Sequence, residues 1–453
     1  MVTFRRARSN PQDNRLGVWT NGERVGTWSI TAGGEHMFQY DESWPASPAS
    51  RPLSLSLPFT PQNVPHRGEV VRAFFDNLLP DSDAIRRRLR DKFSTGSTET
   101  FALLAAIGRD CVGAVQLLPQ GMRPDGFDRI DALPLDEAGV EHAIQSALTG
   151  GRTLGQLEPD DFRISIAGAQ EKTALLWHNG QWMRPLGATP TTHIFKLPLG
   201  LVGNLRADMS SSVENEWLCA QLLARLGLPV ADCEIATFGQ RKVLVVERFD
   251  RARQAPGGTS PWLARLPQED FCQALGVSGE MKYESDGGPG MRAILRQLDT
   301  STRADQDKLV FVKTQLAFWL MAATDGHAKN FSIFLERGGG FHMTPLYDVL
   351  SIWPIIGNGP NQINPRRAKL AMALRSKNTH YHLHEIHTRH WQTLAQQSGV
   401  PEAFDHMVAL VLQVPDALER VAAELPDGFP QRVFKPIRAG MLAQAEKFMA
   451  ELP

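Results

Sequence analysis

Residues 323–330 read ATDGHAKN and close an apolar run, LAFWLMAA, that begins at Leu316. A buried helix ordinarily ends in a cap and a turn. Asp325, Gly326, His327, Lys329 and Asn330 bring more polar chemistry than a cap requires. Outward from Asn330 the chain continues FSIFLERGGGFHMTPLYD, two short segments on either side of Gly338, Gly339 and Gly340. This pattern predicts a hairpin. At ~3.3 Å per residue its outgoing and returning arms cancel, so Asp348 is expected to end close to Asn330 and Asp325. Two carboxylates and a carboxamide at one point suit a hard divalent cation such as Mg²⁺, which takes one or two carboxylates plus substrate phosphates. The other aspartate is then free to orient a hydroxyl and accept its proton. Taken singly, each aspartate also reads as an ordinary turn residue.

The spacing favours the chemical reading. Asp325 precedes Asn330 by five positions, the Asp-x-x-x-x-Asn interval of protein-kinase catalytic loops, where the aspartate is the base and the asparagine holds metal. Lys329 is placed to neutralise charge on a transferring phosphoryl group. A second segment, ISIAGAQEKTALLW (164–177), sets Ala167, Gly168, Ala169 and Gln170 between two strand-like arms, where small residues let backbone N–H groups approach phosphate oxygens. It lacks the G-x-x-x-x-G-K framework of a Walker A loop, and a plain hairpin or bulge fits it too. In a third segment, THIFKLPL (192–199), Lys196 stands inside an apolar strand, either as a snorkelling edge residue or as a phosphate-pairing lysine oriented by Glu216 of the next helix. KVLVVERFDR (242–251) runs from a strand into a connector, where Glu247 and Phe249 offer backbone groups to adenine and Asp250 reaches toward a ribose.

Length and composition set the frame. At roughly 100–200 residues per domain, 453 residues predict two to four packed units. Lys+Arg 48 against Asp+Glu 49 gives no global field toward nucleic acid or an anionic membrane. Cys111, Cys219, Cys233 and Cys272 are scattered, as expected of reduced thiols in the cytosol. No run of 18 or more apolar residues occurs, so no membrane span is expected. A hairpin is expected around Asn21-Gly22, and a helix over 70–90 broken at Pro80 and restarted with Asp81 or Ser82 as cap. The polar stretch 119–136 is a boundary, with a second unit from about 150 that is strand-rich to about 250. Beyond Leu266 helices are expected, apart from one hairpin. A small strand-rich lobe before a larger helical one is an α+β plan with a cleft between lobes as the ligand site. The stretch 361–391, with Arg366, Arg367, Lys369, Arg375, Lys377 and Arg389, reads as a solvated helical face or a surface for DNA phosphates. Its His380, His382, His384 and His387 have no matching second ligand cluster for zinc. YESDGGPG (283–290) is a turn-rich loop to which the sequence assigns no role.

The phrases RISIAGAQEKTALL, HIFKLPLG, VERFDR, RLPQEDFCQALG, KYESDGGPG, ATDGHAKNFSIF and TPLYD, in this order, together with FFDNLLPDSDAIRRRL near the amino terminus, closely resemble the HipA family, toxin kinases of bacterial HipB–HipA toxin–antitoxin pairs. The resemblance implies a two-lobed, protein-kinase-like α+β fold: an amino-terminal subdomain over 1–120, a strand-rich ATP-binding part over 150–255 and a helical lobe over 256–453. It implies a Ser/Thr protein kinase using ATP and Mg²⁺, with Asp325 as catalytic base and Asn330 and Asp348 as metal ligands. ATP would be held by Ala167, Gly168, Ala169, Gln170, Glu171, Lys172, Lys196, Glu247, Arg248, Phe249, His327, Ala328, Lys329, Asn330, Tyr347 and Asp348. Ser165 would be the autophosphorylated serine, its phosphate adding about −1.5 to −2 charge beside the phosphate loop. The implied partners are a HipB-like helix-turn-helix antitoxin, operator DNA through that complex, and a protein substrate, with glutamyl-tRNA synthetase leading. The competing readings are a small-molecule or lipid-type kinase and a non-catalytic co-repressor. Retention of Lys196, Asp325, Asn330 and Asp348 argues against the last.

Overall fold

The computed structural model describes residues 14–149, 165–168, 170–203, 206–254 and 261–452. Among these, the first unit is a five-stranded antiparallel sheet in the order His66–Arg67, His36–Tyr40, Glu23–Ile30, Arg15–Thr20, Gln116–Pro119. The expected hairpin is there: Asn21 and Gly22 both take positive φ, 44° and 83°, as a two-residue turn matched to strand twist requires. Three helices, Glu69–Asp76, Asp83–Phe93 and Thr100–Ile107, accompany the sheet. Trp28 stacks on Phe75 at 3.9 Å in its core. The helix break falls at Pro80 as expected, and Ser82 is the cap, its hydroxyl accepting from the Ile85 amide at 3.4 Å. Asp81 is thereby released for another use.

The second sheet has six strands in the order Cys233–Phe238, Arg241–Glu247, His193–Lys196, Lys172–His178, Gln181–Pro185, Ala132–Pro134. It draws in residues ahead of position 150. The strand Ala132–Pro134 forms its edge, and Val140 and Ile144 of the helix Glu137–Thr149 pack against Leu175, Phe195, Leu197, Val243 and Val245. The helix Ser212–Arg225 also packs against the sheet, through Val213 on Leu244 and Val246.

The remaining chain builds a helical lobe around Ala304–Met321, whose Phe311, Leu316, Trp319 and Leu320 are wholly buried. The helices Thr388–Ser398, Ala403–Leu412 and Gln431–Ala450 surround it. Two features depart from expectation. A strand Gln268–Asp270 joins the hairpin Ser332–Leu335 and Phe341–Met343 to make three strands. Residues 369–382 form a second hairpin, Lys369–Arg375 with Thr379–His382, where a helical face was expected. All five residues Leu370 to Leu374 are buried. A strand covered on both faces loses the alternation by which a strand is read, and becomes indistinguishable from a buried helix segment.

Glu269, in the strand Gln268–Asp270, joins the first unit to this lobe by accepting from the Leu55 amide at 2.8 Å. It is fully buried, its second oxygen has no hydrogen-bond partner among the described residues, and burial pushes its carboxyl up to about 8 against the Leu55 amide. A carboxyl raised in the folded state leaves stability intact below its unfolded value and removes it as pH climbs toward the folded one. Urea denaturation at pH 5 and pH 8 is therefore expected to show a loss on the order of a few kcal/mol in the native chain, and a smaller loss in Glu269→Gln.

Candidate active site

The central helix stops where Ala322 turns left-handed, φ 48°, and the next residues form a tight loop. Gly326 is required there, since a Cβ would lie 2.4 Å from the Phe318 ring. The Asp325 carbonyl gathers the loop by accepting from the His327 amide at 2.8 Å and from Asn330 Nδ2 at 2.7 Å. Asn330 thus spends its amide nitrogen internally, while its carboxamide oxygen accepts from no group among the described residues. The hairpin then returns as expected, pairing Ile333 with Met343 and Leu335 with Phe341. At its end the Tyr347 hydroxyl donates to the Lys329 carbonyl at 2.8 Å, tying the returning arm to the loop.

Asp348 follows with a left-handed φ of 61°, a conformation that costs energy for a non-glycine residue and recurs at functional sites. Its Oδ1 accepts from Lys196 Nζ at 2.9 Å, and the same ammonium donates to Glu216 Oε1 at 2.5 Å. This triad, with Lys196 and Glu216 buried and Asp348 half-buried, spans the strand His193–Lys196, the helix Ser212–Arg225 and the returning loop. Burial alone would discharge Lys196, but Asp348 and Glu216 more than offset that and raise its pKa. Burial would likewise protonate Asp348, yet Lys196 and Lys172 hold its carboxyl well below the usual range. Asp325 is different. Its side chain is 56% exposed, and partial desolvation at the cleft raises its pKa, against the opposing Tyr283 hydrogen bond and the charge of Lys282.

The small-residue segment lies across the cleft. Lys172 Nζ donates to the Ala167 carbonyl, and Gly168 takes φ 110°, where a Cβ would sit 2.7 Å from that ammonium. Burial lowers Lys172 to about 8, with Lys196 adding to the effect against Asp348. Gln170 donates to the Leu197 carbonyl. Ala169 lies outside the described residues. Ser165 is buried, its hydroxyl donating to the Leu78 carbonyl at 2.7 Å and its amide to the Asp110 carbonyl at 3.0 Å.

Together these elements line one open cleft. Ala167, Gly168, Gln170, Lys172, Lys196, Glu247, Arg248, Phe249, Asp325, His327, Lys329, Asn330, Tyr347 and Asp348 line it. Glu171 and Ala328 do not: Glu171 faces a neighbouring cavity and pairs with Arg88, and Ala328 is buried in the helical-lobe core. Asp250 borders the cleft, but its carboxylate is already engaged. Its carboxylate accepts from Arg248 at 2.8 and 2.9 Å and from the Gly113 amide at 2.7 Å, within a buried cluster that also joins Asp110, Arg251 and Arg265. The Arg248 side chain is consumed in the same cluster, so Arg248 meets the cleft beside its own backbone. The amides of Glu247 and Arg248 donate to the Asp232 and Thr192 carbonyls, whereas that of Phe249 donates to no group among the described residues.

Three residues of the site escaped the sequence reading. Asp81, from the first unit, accepts from Lys329 Nζ at 2.6 Å and Lys282 Nζ at 2.7 Å, and its amide donates to the Gly168 carbonyl at 3.1 Å. Those two lysines overcome the effect of burial and keep its carboxyl far below the ordinary value. Tyr283, beside Lys282, donates its hydroxyl to Asp325 Oδ1. The only sequence signal for the three was their presence in family-like phrases, because their partners lie 42 to 248 positions away.

Comparison with known proteins identifies the family and the fold. Residues 16–118 match the HipA N-terminal domain and residues 164–421 the HipA-like C-terminal domain. A putative kinase of Sinorhizobium fredii, Y4mE, is 34% identical over 91% of this chain and 93% of its own length. The serine/threonine-protein kinase toxin HipA of Shewanella oneidensis is 26% identical, covering 90% of both chains. In the solved complex of the Shewanella oneidensis HipA and HipB with operator DNA, a chain superposes with TM-score 0.76 over 96% of this chain and 97% of that one, at 24% identity. The two-lobed α+β architecture is thus a kinase-like fold of the HipA type. With both domain families matched in order and a relative of this identity spanning nearly the whole length, the chain belongs to the HipA family.

Proposed function

We propose that the chain is the toxin of a type II toxin–antitoxin pair, a protein serine/threonine kinase that transfers the γ-phosphate of ATP to a protein hydroxyl. The observation that carries this reading is the buried Lys196 between Glu216 and Asp348, in one cleft with Asp325 and Asn330. A non-catalytic co-repressor has no need to bury that charge set, because burying ions is costly unless a function retains them. Asp325 orients the acceptor hydroxyl and takes its proton at a carboxylate oxygen. Lys196 and Lys172 lie against the phosphates, with Ala167, Gly168, Ala169 and Gln170 as the covering loop, and Phe249 offers its amide to the base. Glu171, Arg248 and Ala328 support these groups from behind.

The donor set fits a hard divalent cation. Asp348 is held ionised and the Asn330 carboxamide oxygen has no partner among the described residues, so these two would hold Mg²⁺ jointly with ATP phosphates. When bound, the ion neutralises phosphate charge. We take residues 1–120 as the family-specific subdomain, 150–255 together with the strand and helix of 132–149 as the nucleotide-binding part, and 256–453 as the catalytic helical lobe. The partners are a HipB-like helix-turn-helix antitoxin and, through it, operator DNA. The substrate is an aminoacyl-tRNA synthetase, glutamyl-tRNA synthetase first among them, and the setting is the cytoplasm. No described helix is long and apolar enough to cross a membrane.

Ser165 is the self-phosphorylated residue in this reading. Because its hydroxyl is buried on the Leu78 carbonyl, phosphorylation requires the 165–168 segment to leave its seat, and the added charge keeps it out. Incubation of dephosphorylated protein with Mg²⁺ and γ-labelled ATP is expected to label Ser165. Ser165→Ala is expected to lose that label while still labelling other proteins; loss of both would show that Ser165 is needed for the fold of the cleft instead. A small-molecule or lipid-type kinase remains the second reading, and label appearing in a non-protein fraction would favour it.

A further inference from the structure

The segment 278–290 is pinned across the mouth of the cleft by three consecutive side chains. Lys282 reaches the first unit, at Asp81 Oδ2, 2.7 Å away. Glu284 reaches the second hairpin of the helical lobe, accepting from the Ala373 amide at 2.7 Å and from Arg375 Nε at 2.9 Å. Between them the Tyr283 hydroxyl donates to Asp325 Oδ1, with its ring edge-on to His327 at 4.9 Å. The backbone that presents them is tightly folded. Gly287 is left-handed at φ 95°, and a Cβ on Gly288 would lie 1.8 Å from the Met281 carbonyl oxygen.

A hydroxyl donating to the carboxylate of Asp325 makes the hydrogen bond that an alcohol acceptor makes when it is poised for transfer. We propose that Tyr283 stands in for the acceptor hydroxyl on Asp325, so that the 278–290 segment is a gate that an incoming serine or threonine must displace. The proposal rests on the kinase reading of the same cleft. The Lys282 to Asp81 and Glu284 to Arg375 pairs are the gate's two latches. Arg375 is exposed, and a partly exposed ion pair is a weak latch that a docking protein can replace with its own contacts.

The test uses water as the acceptor, so no protein substrate is needed. Removing the phenolic oxygen in Tyr283→Phe keeps the ring on His327 and leaves a space the size of one water beside Asp325. Mg·ATP hydrolysis by the full-length dephosphorylated chain is expected to rise about two- to tenfold, the size of one competing hydrogen bond. KM for ATP is expected to stay unchanged, and the gain to vanish when Asp325→Asn is added. Arg375→Ala, which touches only the outer latch, is expected to raise hydrolysis by less. Hydrolysis in the native chain that is unchanged or lower in Tyr283→Phe overturns the gate, because Tyr283 then orients the base instead of occupying the acceptor position. If neither protein hydrolyses ATP, γ-labelling of protein by the same preparations separates the failures: protein labelling without a gain in Tyr283→Phe overturns the gate alone, and no Asp325-dependent labelling overturns the kinase reading and the gate with it.

Discussion

Asp325→Asn is expected to lower phosphoryl transfer by about 10²- to 10⁴-fold, the usual contribution of a general base, while leaving ATP binding within a small factor of native. The substitution keeps shape and removes the ability to take a proton. It is also expected to leave the fold intact. Asp325 carries a raised pKa because partial desolvation and the nearby charges of Asp348 and Asp81 disfavour its ionised form, despite Tyr283 and Lys282. The side chain is 56% exposed, so an amide of the same shape is expected to leave the thermal midpoint close to the native one. Loss of transfer without loss of stability separates a catalytic group from a structural one. Measuring both on one preparation decides between them.

Lys196→Met is expected to fail in both respects. It strips the partner from Glu216 and Asp348, two carboxylates held on one buried ammonium, and breaking such a set costs about 3–5 kcal/mol. Transfer should fall by about 10²–10³-fold at saturating ATP, as when one preorganised cationic donor is removed. Adding Glu216→Gln to Lys196→Met relieves the repulsion between the two carboxylates, so part of the stability returns and the transfer does not. Urea unfolding of the two variants checks the first half. Recovery of transfer in the double variant would show that Lys196 acts only by holding the fold.

The contrast between these residues and the rest shows what a sequence can carry. Asp325, Asn330 and Asp348 were legible because one hairpin about Gly338–Gly340 brings them together, and hairpin geometry follows from local residue types. Lys196 was legible because a lysine inside an apolar strand violates patterning and so calls for a partner. Asp81 was not, because its helix-start context offered a complete local explanation until Ser82 proved to be the cap. Tyr283 and Lys282 sit in a turn-rich loop whose contacts are made with distant parts of the chain, where spacing carries no information. Asp250 was assigned outward although Arg248, two residues before it, folds back onto its carboxylate in the buried cluster. The stretch 369–375 was misread for a different reason: burial on both faces erases the period on which a strand is recognised.

The central claim is that this cleft moves the γ-phosphate of ATP to a protein hydroxyl with Asp325 as the base. The most direct measurement incubates the dephosphorylated native chain with Mg²⁺, γ-labelled ATP and a cell extract, beside Asp325→Asn, and follows the label into protein and non-protein fractions. The account predicts label on serine or threonine of the chain itself and of at least one other protein, glutamyl-tRNA synthetase first among those to identify, and none with Asp325→Asn. Native protein that binds Mg·ATP yet labels no protein, or labels protein equally well with Asp325→Asn, would contradict it.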